Sequence, residues 1–215
     1  MSKILEEPLT ETAAPDDLPA SDELTSQVVL RLRPLVNLSD DDFLELCRLN
    51  EGLFFEQNPN GELVIMPPTG SDTGHKNSRL NQQLANWSDL DGTGICFDSS
   101  TLFRLPNNAI RSPDAAWVAN ERWNELTTKQ QRGIAPLCPD FVIELRSPTD
   151  TIKKLQAKMS EYIENGARLG LLLDRRARRV YLYRPQREME VFDKPTEVSC
   201  SPELPDFKLD LTKIW

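Results

Sequence analysis

The alternation of apolar and polar positions divides this chain into short helices and strands after a leader without any period. Residues 1–28 are acidic and contain three prolines, so they read as a disordered tail, with the folded domain expected over 29–215. Helical spacing begins near Asp40 and runs to Asn50, with Ser39 placed as its cap and Asp42 three residues on. Leu53–Gln57 and Glu62–Met66 read as a hairpin around Asn58-Pro-Asn-Gly61, ended by Pro67-Pro68. A second helix is expected from Gly74 to Trp87, with Leu80, Leu84 and Trp87 on one face. Strands follow near Gly94–Phe97, Thr101–Leu105 and Ser112–Val118, the last two separated by a turn at Pro106-Asn-Asn108. A short helix fits Asn120–Leu126.

Asp140–Arg146 has the strongest buried-strand pattern. The next helix, Thr151 to Asn165, turns Ile152, Leu155, Met159, Tyr162 and Ile163 to one face and stops at Gly166. Leu169–Asp174 and Val180–Tyr183 read as paired strands around the basic turn Arg175-Arg-Ala-Arg-Arg179. The last thirty residues have no clear period, and no internal repeat is visible. The order predicts one α/β domain, a mixed sheet flanked by helices, with a crossover helix between the strands of Glu144 and Leu171.

Composition adds boundaries. A chain of 215 residues suits one domain with a sizeable core. No run reaches the roughly 18 apolar residues of a membrane helix, and no signal-peptide core is present. A cytoplasmic protein without a membrane partner is expected. Cys47, Cys96, Cys138 and Cys200 are dispersed and form no CxxC pair, so reduced thiols are expected. The net charge of -9 argues mildly against a nucleic-acid partner. Much of it is local, because residues 1–30 hold seven acids against Lys3 alone. Carboxylates of a metal site would account for part of the remainder.

The candidate chemistry lies in two apolar strands. Asp114 follows Ser112-Pro113, and Glu144 sits thirty positions on within Phe141-Val-Ile-Glu-Leu-Arg146. An acid inside an apolar strand is costly unless a metal or a cation offsets it. Alternation places Glu144 and Arg146 on one face, about 7 Å apart by strand rise. If the strand of Asp114 is the neighbour, the two acids converge on one Mg²⁺ or Mn²⁺ ion. The plainer alternative is a buried Glu144–Arg146 ion pair. Lys158 stands at the edge of the apolar helix face, four residues before Tyr162, either facing the acids or covering apolar surface. His75, the sole histidine, lies near a helix start. One histidine and scattered cysteines do not make a zinc site. The arginines of the 175–179 turn are either solvated or phosphate contacts.

Taken together, Gly61-Glu-Leu-Val-Ile-Met-Pro-Pro68 with His75, Ser112-Pro-Asp114, Pro139-Asp-Phe-Val-Ile-Glu-Leu-Arg-Ser-Pro148, Lys158-Met-Ser-Glu-Tyr162, Gly166 and Leu171-Leu-Leu-Asp174 resemble the Uma family of "putative restriction endonucleases". That family belongs to the PD-(D/E)XK nuclease superfamily, and the resemblance spans roughly residues 40–185. It implies a restriction-endonuclease-like fold and Mg²⁺- or Mn²⁺-dependent cleavage of DNA. Asp114 matches the metal-binding Asp and Glu144 the second acid. Arg146 stands where the superfamily has Lys. An arginine stays protonated, so it can steady phosphorane charge but cannot act as a base. Lys158 resembles the family's helix lysine, and Glu56 a recurrent acid that extends the metal shell. His75 and Tyr162 are accessory candidates. A homodimer is expected by analogy with nucleases that cut both strands. Two other functions fit the same residues. One is an inactive nuclease-fold protein that binds or regulates, and the other a metal-dependent hydrolase of small phosphorylated molecules.

Overall fold

The computed structural model describes residues 27–215, so all but the end of the expected tail lies outside the described residues. Strand β1 (Val28–Leu30) leads to helix α1 (Asp40–Leu49). The Ser39 hydroxyl accepts the Asp42 N–H while the Asp42 carboxylate accepts the Ser39 N–H, a reciprocal cap. Strands β2 (Phe54–Gln57) and β3 (Leu63–Met66) form the hairpin. Gly61 closes its turn at φ +85, a backbone glycine adopts without strain. Helix α2 (Ser71–Asp91) overruns the expected span at both ends. Its first turn has no apolar residue to mark it, and its last extends into solvent until Gly92 stops it in the left-handed conformation.

Strands β4 (Gly94–Asp98), β5 (Phe103–Arg104), β6 (Ile110–Arg111) and β7 (Ala115–Ala119) follow. The single strand expected over Ser112–Val118 is therefore corrected. It breaks at Ser112-Pro-Asp114, because Pro113 has no N–H for a ladder. Helix α3 (Asn120–Asn124) precedes α4 (Thr128–Arg132), a helix the apolar pattern did not reveal; Thr127 and Gln130 cap it. Then come β8 (Phe141–Leu145), α5 (Ile152–Glu164), β9 (Leu169–Asp174), β10 (Arg179–Tyr183), β11 (Glu190–Asp193), β12 (Glu197–Ser199) and β13 (Lys208–Asp210).

The strands make two main sheets. One runs β11-β10-β9-β8-β7-β4, with β8 and β9 parallel and every other pair antiparallel. The other is antiparallel, β1-β3-β2-β6-β5, and β12 pairs with β13 in a separate ribbon. Helix α5 is the crossover between β8 and β9. It lies close because β9 carries Gly170, where a Cβ would meet the Met159 Cε at 2.4 Å.

The six-stranded sheet is apolar on both faces. One face packs Phe141, Ile143 and Leu171 against Leu80 and Leu84 of α2 and against Phe207, Leu209 and Ile214 from the chain's end. The other packs Val142 and Leu172 against Met159 and Tyr162 of α5. A smaller cluster of Phe43, Phe55, Leu63, Ile110 and Ile134 joins α1 to the five-stranded sheet. All four cysteines are free thiols. No helix among the described residues is long and apolar enough to cross a membrane.

Candidate active site

The register of β7 on β8 pairs Ala115 with Ile143. Carried one residue on, it sets Asp114 beside Glu144, both leaving the same face of the sheet. The Leu145 N–H fastens Asp114 there by donating to Oδ2 at 2.7 Å. From α2, the Asn77 Nδ2 donates to Asp114 Oδ1 at 2.5 Å, and the Asn81 Nδ2 donates to the Asp114 carbonyl at 2.8 Å. Burial raises the pKa of Asp114 above its ordinary value, although the Leu145 N–H and Lys158 pull it down.

Glu144 is only 5% exposed. Its Oε1 accepts from Lys158 Nζ at 2.8 Å and from the Tyr162 hydroxyl at 3.0 Å. Burial pushes its pKa up to about 7; Lys158 opposes the rise, while Asp114 and Glu56 add to it. Helix α5 supplies both donors, since Lys158 and Tyr162 stand one turn apart on one face. Tyr162 is itself held neutral by burial and by Glu144.

Lys158 is shared. Its Nζ also lies 2.9 Å from Glu56 Oε1, which comes from β2 in the other sheet. Burial alone would lower the lysine's pKa, but Glu144 and Glu56 outweigh it and keep the amine an ammonium. Glu56 also accepts the Ser112 N–H at 3.0 Å and Arg111 at 3.2 Å. Burial disfavours its charge, yet Lys158 and Arg111 hold its pKa below the usual carboxylate value. Arg111 in turn donates Nε to Glu161 at 2.6 Å and another nitrogen to Asn58 Oδ1 at 3.2 Å. Four carboxylates (Glu56, Asp114, Glu144 and Glu161) thus share two cations, Lys158 and Arg111.

The structure brings Asp114, Glu144, Lys158, Glu56 and Tyr162 into one constellation. It does not bring Arg146. Strand β8 ends at Leu145, and Arg146, whose N–H still bonds the Leu173 carbonyl of β9, stands beside Asp174 and turns to it. The guanidinium binds Asp174 at 2.9 Å and the Asp150 carbonyl at 3.2 Å. The Glu144–Arg146 ion pair is therefore absent, and Lys158 takes the place expected of it. His75 is exposed near the start of α2. Three participants were not foreseen: Arg111, Glu161 and Asn77. Asn77 had a signal, since it is a polar residue on the stripe of Leu80 and Leu84.

Among the described residues no three His, Cys, Asp or Glu side chains gather into a metal cluster. Glu56 faces two cations instead of its fellow acids. Asp114 and Glu144 remain as hard oxygen donors of the kind Mg²⁺ prefers, an ion content with two carboxylates and several waters. The surplus of carboxylate suits a dication. So does the Asn77 Oδ1, which is buried beside Asp114 without a hydrogen-bond partner among the described residues.

Three comparisons bear on this constellation. No curated protein matches the chain. A crystal structure described as a putative nuclease belonging to DUF820 from Anabaena variabilis ATCC 29413 has a similar fold, with a TM-score of 0.68 at 20% identity over 83% of this chain and 97% of that one. The mixed sheet with its flanking helices is thus shared with that protein. The Uma2 family model, described as "Putative restriction endonuclease", matches residues 40–212. That span holds every residue of the constellation and nearly all of both sheets, and the chain belongs to the Uma2 family.

Proposed function

We propose that this protein is a divalent-metal-dependent endonuclease that hydrolyses DNA phosphodiester bonds. The observation that supports the reading most is the buried surplus of carboxylate at Asp114 and Glu144, with a lysine ammonium beside it. Asp114 and Glu144 would hold Mg²⁺ or Mn²⁺. Bound there, the ion supplies Lewis-acid polarisation of the phosphate and a more acidic water.

The chain's own groups do the rest. Tyr162 and Lys158 both occupy Oε1 of Glu144, which leaves Oε2 as the oxygen free to bind an ion. Lys158, fixed between Glu144 and Glu56, orients the attacking water and offsets charge that develops on the phosphate. Arg111 and the Ser112 N–H keep Glu56 in place, so the lysine has one position. Arg146 acts at a distance by tying the end of β8 to Asp174.

The test is Mn²⁺ calorimetry paired with plasmid cleavage. Wild type should bind the ion and nick plasmid in Mg²⁺ or Mn²⁺. Asp114→Asn should lose both. Lys158→Ala should keep ion affinity within a few-fold and lose at least about 100-fold in cleavage, the typical loss for an electrostatic catalytic group. Ion binding without cleavage of any DNA favours an inactive nuclease-fold scaffold, the second reading, which the absence of a three-acid cluster among the described residues supports. No ion binding at millimolar Mn²⁺ would remove the metal mechanism.

A further inference from the structure

The basic turn between β9 and β10 has no part in the constellation above, yet the structure anchors it at the rim of that site. Arg175 bonds Asp72 in the first turn of α2, and Arg176 donates to the Pro148 carbonyl in the loop before α5. Asp72 stands five residues before Asn77, the partner of Asp114. At 1.5 Å per residue that is about 7.5 Å along the helix. On the other side, Lys154 sits one turn before Lys158 on the same face of α5, about 6 Å along the axis. Lys153 is its neighbour, and both are exposed.

The charge balance there is opposite to that of the chain. Residues 146–154 and 174–178, together with Asp72, carry six cations (Arg146, Lys153, Lys154, Arg175, Arg176 and Arg178) against three acids. Two of those acids, Asp72 and Asp174, already pair with Arg175 and Arg146. Lys153, Lys154, Arg176 and Arg178 make no ion pair among the described residues. In a protein of net charge -9, unpaired cations on both flanks of an acidic site oppose the local repulsion of an anionic substrate.

We propose that Arg176 and Arg178 of the β9–β10 turn, with Lys153 and Lys154 of α5, form a cradle for the phosphate backbone of DNA. The cradle would set the strand over Asp114 and Glu144. Its contacts would be to phosphates, where two lysine point charges and two arginine forks position a strand whatever its sequence. The proposal rests on the nuclease reading, and its test is separable because binding is measured without cleavage.

The experiment is fluorescence anisotropy of a labelled DNA duplex of about 20 base pairs with the full chain in EDTA, over a salt series. The variants are Lys153→Glu/Lys154→Glu, Arg176→Glu/Arg178→Glu, and the control Lys208→Glu on β13. Each double reversal should weaken binding at least tenfold. Each should also flatten the slope of log affinity against log salt by about 0.9 for every phosphate contact removed. The control should match wild type, and the Mn²⁺ affinity of every variant should be unchanged. Unaltered affinity and salt slope in both doubles would overturn the cradle even if wild type cleaves DNA. Failure of wild type to bind duplex would overturn it as well. Loss of binding in the doubles, in a protein that cleaves nothing, would uphold the cradle and reject the nuclease.

Discussion

The two sheets differ in what they bury. The six-stranded sheet is covered on both faces by apolar side chains, and Glu144 and Asp174 are its buried charges. The five-stranded sheet sits mostly on a small cluster, with Phe103 of β5 reaching the larger core; its outer strand β1 is exposed at every position, and two of its short strands bury Glu56, Gln57 and Arg111. The first sheet is an apolar platform that desolvates an acid and so raises its pKa. The second supplies counter-charges through Arg111 and the lysine anchor Glu56. Neither alone completes the site, because Lys158 is fixed only where an acid from each sheet meets it.

The largest test of this difference is a cavity. Phe141→Ala in β8 should destabilise the protein by about 3–5 kcal/mol, as deletion of a fully buried aromatic does. Phe54→Ala in β2, where the ring is 42% exposed, should stay within about 1 kcal/mol. Urea denaturation measures both. Equal losses would mean that the smaller sheet carries as much of the fold as the larger.

Next in size is the seam itself. Arg111→Met should cost about 2–3 kcal/mol, because half-buried Glu161 would lose its cation and buried Glu56 would keep Lys158 alone. Adding Glu56→Gln to Arg111→Met should recover part of that loss, since it removes one carboxylate from those left around Lys158. A double variant no better than the single would show that Arg111 acts by packing alone.

How much of this was legible follows from the same contrast. The platform announced itself through apolar runs. The β8 strand, the face of α5 and the Ser39 cap are all short-range patterns, and the structure has them. Glu144 stood out because an acid within such a run is anomalous. The seam had no such pattern. Strand β6 is two residues long, so Arg111 looked like the flank of a longer strand, and its partners lie 50 and 55 positions away. Alternation drew Arg146 into the site but could not reveal Asp174 on β9, the acid that its guanidinium takes instead of Glu144. The chain's end was unreadable because Leu204, Phe207, Leu209, Leu211 and Ile214 are all buried but follow turns and a two-stranded ribbon rather than one period. The separation into two sheets depends on which strands pair at long range, and residue spacing does not encode that.

The smallest expected effect concerns pH, and it isolates the platform's contribution. The pKa of Glu144 stands at about 7 in the folded protein against an ordinary 4.5. Between those values the folded state holds a proton that the unfolded state has lost. Ion-free stability from this group is therefore full below pH 4.5, declines as pH rises, and is lost above pH 7. The proposed ion binding should run the other way, because Mn²⁺ would have to displace the same proton. From pH 8 down to pH 6 the Mn²⁺ affinity should fall by about tenfold, the effect of one proton with a pKa near 7. Calorimetry in two buffers of different ionisation enthalpy should count that proton as it leaves. Glu144→Gln, with nothing to titrate there, should bind the ion more weakly but with a flatter pH dependence. Affinity in wild type that is equal at pH 6 and pH 8 would mean that Lys158 outweighs burial. The acid would then be an ordinary carboxylate, and the two sheets would differ in packing but not in the electrostatics they impose.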